Sequence, residues 1–248
     1  MLAPIMNDPT ALTTAMAVGA ALVACAFVGA THERWLLRRQ RQYLAWSVSL
    51  TMFFLAAGAL AWGSAVGWSP FAFRLFFAFG AVLNVPFLAL GQLYVQIERR
   101  IVDRIGAVVA LGAAFSFGVV LVAPMKHDRF SAGRAQAIPQ GSALFGVLPR
   151  VLAAVASGLG ATVVFVGAVA GIIGLVRADR RPRPQLPGRS RAQVRRRAFG
   201  LALIAGGTIV LSLSGLLNSV VGAMRAFSIT LTVGVTLLFA GFMFSSTG

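Results

Sequence analysis

Seven apolar stretches, each long enough to cross a bilayer and separated by short polar breaks, set the tightest limit on how this sequence can fold. They run over about 11–30, 43–63, 71–95, 105–124, 151–176, 198–221 and 226–245. A hydrocarbon layer about 30 Å thick takes roughly 20 helical residues to cross. No water inside that layer pairs a stray N–H or C=O, so each run closes its backbone hydrogen bonds internally, as a helix. The sequence therefore predicts an all-α membrane protein: one seven-helix transmembrane bundle over residues 1–248. The spans use most of the 248 residues and mean hydropathy is +0.84, which leaves no segment for a soluble domain of ordinary size.

The breaks differ sharply in charge. Net charge is +16, and all but one of the 22 basic residues are arginine, the exception being Lys126. Alternate breaks hold most of them: Arg34, Arg38, Arg39 and Arg41; Arg99, Arg100 and Arg104; and the 177–197 segment. The positive-inside bias puts these breaks in the cytoplasm, the N-terminus outside and the C-terminus inside, in the cell membrane. Trp35, Tyr43, Trp46 and Tyr94 then fall near the inner boundary and Trp62 and Trp68 near the outer one. Half-wet depths favour such rings. This distribution assigns the positive charge to the membrane surface, with no nucleic-acid partner expected.

The 177–197 loop is the most polar segment. Pro182, Pro184 and Pro187 interrupt any helix there, and Ser190 with Gln193 fits a capping box at the start of the sixth span. Arg180, Arg181, Arg183, Arg195, Arg196 and Arg197 are candidates for contact with anionic lipid headgroups or with an acidic partner. Setting topology alone also accounts for them. The 124–150 break contains a short apolar run, Ala143–Leu148, that lies in the membrane interface, folds over the bundle as a lid or is an ordinary connector.

Small residues recur every fourth position in span one (Thr13, Ala17, Ala21, Cys25, Gly29) and span four (Gly106, Ala110, Ala114, Gly118). Such rows let helix backbones approach closely, within the bundle or against a partner membrane protein. The lone cysteine, Cys25, ends a Leu-Val-Ala-Cys run shaped like a lipoprotein cleavage box, but the N-terminal tail lacks the basic residues of a signal peptide.

Span three is the most unusual helix. Asn84 sits near its middle, two residues before Pro86. A proline frees the carbonyl four residues back and tends to kink the helix. An amide beside a freed carbonyl can form a polar pocket at membrane depth, or can bond a neighbouring helix as glue. Arg74, one turn inside the same span, is either a ligand contact or a side chain reaching to the interface. Ser228, Thr232 and Thr236 share one face of span seven, and Asn218 lies in span six. Together with Asn84, Pro86 and Arg74 they are the candidate ligand-binding residues. Hydroxyls that bond their own helix carbonyls are the plainer alternative.

No reaction can be assembled from these residues. The last span has no lysine to carry a retinal Schiff base, and the two histidines, His32 and His127, fall on opposite sides of the membrane. No carboxylate lies within a span, so no proton relay is written into the helices. No metal or cofactor is expected. The leading expectation is non-catalytic binding or passage of a lipid or small amphiphile within the bundle. The alternative is an assembly subunit that docks a membrane-protein partner through the small-residue rows and the arginine loop.

Overall fold

The computed structural model describes residues 9–125, 139, 141–180, 196, 199–211 and 224–246. Helices α1 (Pro9–Arg38), α2 (Arg41–Val66), α3 (Pro70–Gln96), α4 (Arg99–Val122), α5 (Val147–Arg180), α6 (Phe199–Leu211) and α7 (Met224–Ser246) follow one another. Helices α1 to α5 each contain a stretch long and apolar enough to cross a membrane. The apolar stretches of α6 and α7 within the described residues, Phe199–Leu211 and Ile229–Phe244, are shorter. This is the architecture of a multi-pass membrane protein. Its outer surface agrees: Leu111 is 73% exposed and Val122 82%, while α4 buries only Val102, Ser116 and Val120. Lipid rather than water is the solvent such a face suits.

Helix α5 runs on to Arg180, so the first residues of the segment expected as a loop are helical. Among the other loop and helix-six candidates, Arg181, Arg183, Arg195, Arg197 and Asn218 lie outside the described residues, as do the side chains of Arg180 and Ser228.

Burial along α1 corrects the row expected there. Thr13, Ala17 and Ala21 are buried, but Cys25 and Gly29 are exposed. Four residues overshoot a helical turn by about 40°, so a row of fourth positions winds away from a fixed neighbour. The face that stays buried is Thr13, Ala17, Ala20, Ala24, Phe27 and Thr31. Its steps alternate between four and three and average 3.6, the residues per turn of an α-helix, so the face stays in line. Ala20 and Ala24 meet Phe53 and Ala57 of α2 and Val235 of α7. On α4 the row Ala110, Ala114 and Gly118 faces outward, away from the described bundle.

Helix α3 begins at a cap, Ser69, whose Oγ accepts from the Ala72 N–H at 3.1 Å, with Pro70 in the first turn. Residues Phe76–Leu83 are π-helical, and α-helix resumes at Asn84. The proline expected to kink the helix is thus accommodated by a wider turn before it. The apolar run before α5 folds inward: Leu144 and Phe145 are buried, and Phe145 packs on Phe77 with ring centroids 4.9 Å apart. It closes the Trp68 end of the bundle around Phe73.

Candidate functional site

The site is built where α3 widens. Pro86 has no N–H, so it donates neither to Val82 O, as an α-turn requires, nor to Ala81 O, as a π-turn requires. Neighbouring helices intervene at this turn. The Ser157 hydroxyl of α5 donates to Ala81 O. The Ser49 hydroxyl of α2 donates to Asn84 O at 2.7 Å. Helix α5 reaches this point because residue 160 is glycine: a Cβ there would lie 2.8 Å from Val85 Cγ1 and 3.0 Å from its carbonyl oxygen.

Ala81 O and Asn84 O each receive a hydroxyl, but the Asn84 side-chain oxygen receives none. Asn84 is 8% exposed, and its Oδ1 has no hydrogen-bond partner among the described residues. A buried amide left unpaired is destabilising. Asn84 lines an apolar cavity of about 690 Å³ enclosed by α2, α3, α5, α6 and α7. Phe53, Phe77, Val85 and Leu211 supply apolar wall, and Ser157 and Thr208 supply hydroxyls. Thr208 also donates to Ile204 O of its own helix at 2.8 Å. Arg150 and Ser142 stand at the cavity's end nearer Phe73. Volumes of about 300–1,000 Å³ are those of sites that hold a small molecule.

The other candidates are placed differently. Arg74 does not line this cavity. Its Nη1 donates to Val120 O and its Nη2 to Ala123 O at 2.8 Å, so the guanidinium closes the C-terminus of α4. It also stands 5.9 Å from the Phe145 ring centroid. A cation is favoured at a helix C-terminus, which accounts for a charge in this span without a ligand. Thr232 donates to Met16 O at 3.0 Å and so ties α7 to α1. Thr236 is exposed and bonds back to Thr232 O at 2.7 Å, the plain role for a helix hydroxyl. Arg196 is exposed, with its guanidinium 5.6 Å from the Phe244 ring centroid.

Three polar features escaped the sequence reading. Ser49 is one of three alternating hydroxyls, Ser47, Ser49 and Thr51, and Ser157 stands alone in an apolar run; only the fold brings the two to the π-turn. Gln92 lies two turns beyond Asn84, is 7% exposed, and lines a second space of about 400 Å³. A spacing signal for it existed: Asn84, Leu88, Gln92 and Gln96 are successive fourth positions on α3. At this end Arg41 of α2 pairs with Asp103 of α4 at 2.6 Å, and Tyr94 of α3 donates to the same carboxylate at 2.8 Å. That cluster clamps three helices together. His32 Nδ1 lies 3.5 Å from Ser47 Oγ, the outer limit of a hydrogen bond, and no group of three His, Cys, Asp or Glu residues suited to a metal occurs among the described residues.

Comparison with protein-family models finds none that matches the chain, and comparisons with curated proteins and with solved structures find no match either.

Proposed function

We propose that this protein binds, or passes across the membrane, a lipid or small amphiphile held in the cavity beside Asn84. The observation that carries the reading is the unpaired, buried Asn84 Oδ1 on the wall of a mostly apolar space of about 690 Å³. A mostly apolar cavity with a few placed polar groups suits a molecule that is mostly tail with a polar part that donates a hydrogen bond. In this reading all seven spans cross the cell membrane, with the N-terminus outside and the C-terminus cytoplasmic, as the arginine distribution favours. The arginines of the 177–197 segment then meet anionic headgroups of the cytoplasmic leaflet.

A second reading, a subunit that docks a membrane-protein partner, is favoured by one observation. The outward row Ala110, Ala114 and Gly118 on α4 has open space around Gly118. Small residues on an unpacked helix face permit close approach of another helix.

Native mass spectrometry of the full chain in mild detergent distinguishes the two. The cavity reading expects a stoichiometric bound mass of lipid size, lost by about tenfold or more in Asn84→Leu while the variant stays folded. A bound mass retained in that variant, or an Asn84→Leu protein that has merely lost stability, would count against it and for the glue role of Asn84. A second polypeptide riding with the wild-type protein would shift the reading to the partner surface on α4.

A further inference from the structure

The second space lies beside the first. Leu88, Val164 and Leu238 line both it and the Asn84 cavity, so the two spaces adjoin across these side chains of α3, α5 and α7, which form the neck between them. On the far side of that neck Gln92, 7% exposed, lines the second space. The neighbouring polar side chains are engaged: Gln96 donates to Gly167 O at 2.6 Å, and Trp46 donates to Leu88 O at 3.3 Å. Gly167 makes room for this arrangement, since a Cβ there would stand 2.7 Å from Gln92 Cγ and 2.9 Å from Gln96 Nε2. Two buried amides thus stand eight residues, or roughly 12 Å, apart along α3 and about 80° apart around it, one beside each chamber.

The chemistry of the walls narrows the ligand. The described residues lining the Gln92 chamber carry no formal charge, and those lining the Asn84 cavity carry one, Arg150, at its end. An ionised group held against these walls would meet no counter-charge among the described residues between Arg150 and the far end of the Gln92 chamber. An amide both donates and accepts, so it matches hydroxyl or amide groups, which do the same.

We propose that the Gln92 chamber is a second binding station for an amphiphile with an uncharged, hydrogen-bonding head, reached from the Asn84 cavity through the Leu88–Val164–Leu238 neck. This rests on the Asn84 cavity being a ligand site. The head pairs with Asn84 in one chamber and Gln92 in the other, and the apolar walls take the chain in both. A bound molecule therefore has two resting places along the bundle axis, the arrangement needed for stepwise passage.

The test is photo-crosslinking of the full chain in nanodiscs, with adducts mapped to peptides. The probe is 1-oleoylglycerol carrying a diazirine in its chain, and the comparison probe is the lysophosphatidic acid with the same chain. Wild type is expected to show adducts in both chambers, near Phe77 and Ala153 on one side and near Leu201 and Ile204 on the other. Gln92→Met, an apolar side chain of similar length, should lower the second set by about tenfold and leave the first within about twofold. The charged probe should label the second set at no more than about a tenth of the uncharged one. Adducts in the Asn84 cavity alone would overturn the second station and leave the first reading standing. Adducts in neither would overturn both. Undiminished labelling in Gln92→Met, or equal labelling by the charged probe, would overturn the assignment of Gln92 or of the uncharged head. Thermal midpoints are read alongside, because a Gln92→Met protein that melts earlier would make the amide structural and overturn its role as a station. Gln92→Asn keeps an amide but withdraws it by one methylene. A loss of about threefold is expected there, and none would overturn the proposal even if the Met variant did not fold.

Discussion

An amide oxygen buried without a donor is destabilising by about 1–3 kcal/mol, whereas one that bonds a neighbouring helix is modestly stabilising. Asn84 and its substitutions therefore separate two roles by sign. Because Oδ1 is unpaired, Asn84→Leu is expected to melt no lower than wild type in a fluorescence-detected thermal shift, while losing the bound amphiphile. Arg74 is the counter-example at the same scale. Its guanidinium forks onto the last carbonyls of α4. Arg74→Met should lower stability by about 1–2 kcal/mol, read from the same thermal assay, and leave the bound mass in place. Lysine at this position should recover part of the loss, since an ammonium carries the charge but not the fork.

At the scale of the element, the close crossing of α5 over α3 depends on Gly160. An added methyl group would gain helix propensity of about 1 kcal/mol in an isolated helix, but at this position it meets Val85 backbone at 3.0 Å. Backbone does not swing aside as a side chain does. Gly160→Ala should therefore be destabilising by about 1–3 kcal/mol. Gly112→Ala on α4, where nothing lies within 4 Å, should be neutral or stabilising, with thermal midpoints of the pair deciding it. Much at this scale was legible in the sequence: apolar length alone marks a helix that crosses a bilayer, and Asn-Val-Pro marked the unusual turn of α3. Phase was not legible. The Cys25 row and the α4 row obey the same spacing rule as a true packing seam, and only the neighbours present decide which face they choose. The π-turn was also hidden, because nothing in Phe76–Leu83 tells a widened turn from a kinked one. The hydroxyls that serve it, Ser49 and Ser157, come from helices distant in sequence.

For the whole molecule, the arginine asymmetry and the two-chamber interior make a joint claim about direction. If the arginine-rich side is cytoplasmic, the Gln92 chamber faces the cell interior and the Arg150 end faces out. In a Cys25→Ser background, a membrane-impermeant maleimide added to intact cells should label Ser142→Cys and spare Ser190→Cys, and the opposite pattern would invert the molecule. The π-turn of α3 has one more consequence, for how the chain tolerates changes of length. Removing a residue elsewhere in a straight α-helix turns everything beyond it by about 100° and spoils the faces that pack. Residues 76–83 already hold more chain than an α-helix of the same rise requires. One residue taken from this stretch would use up the surplus, and the two halves of α3 would keep facing the helices they face now. Only the local bulge beside Asn84 would vanish. A single-codon deletion in this stretch can therefore remove the site and leave the bundle around it intact.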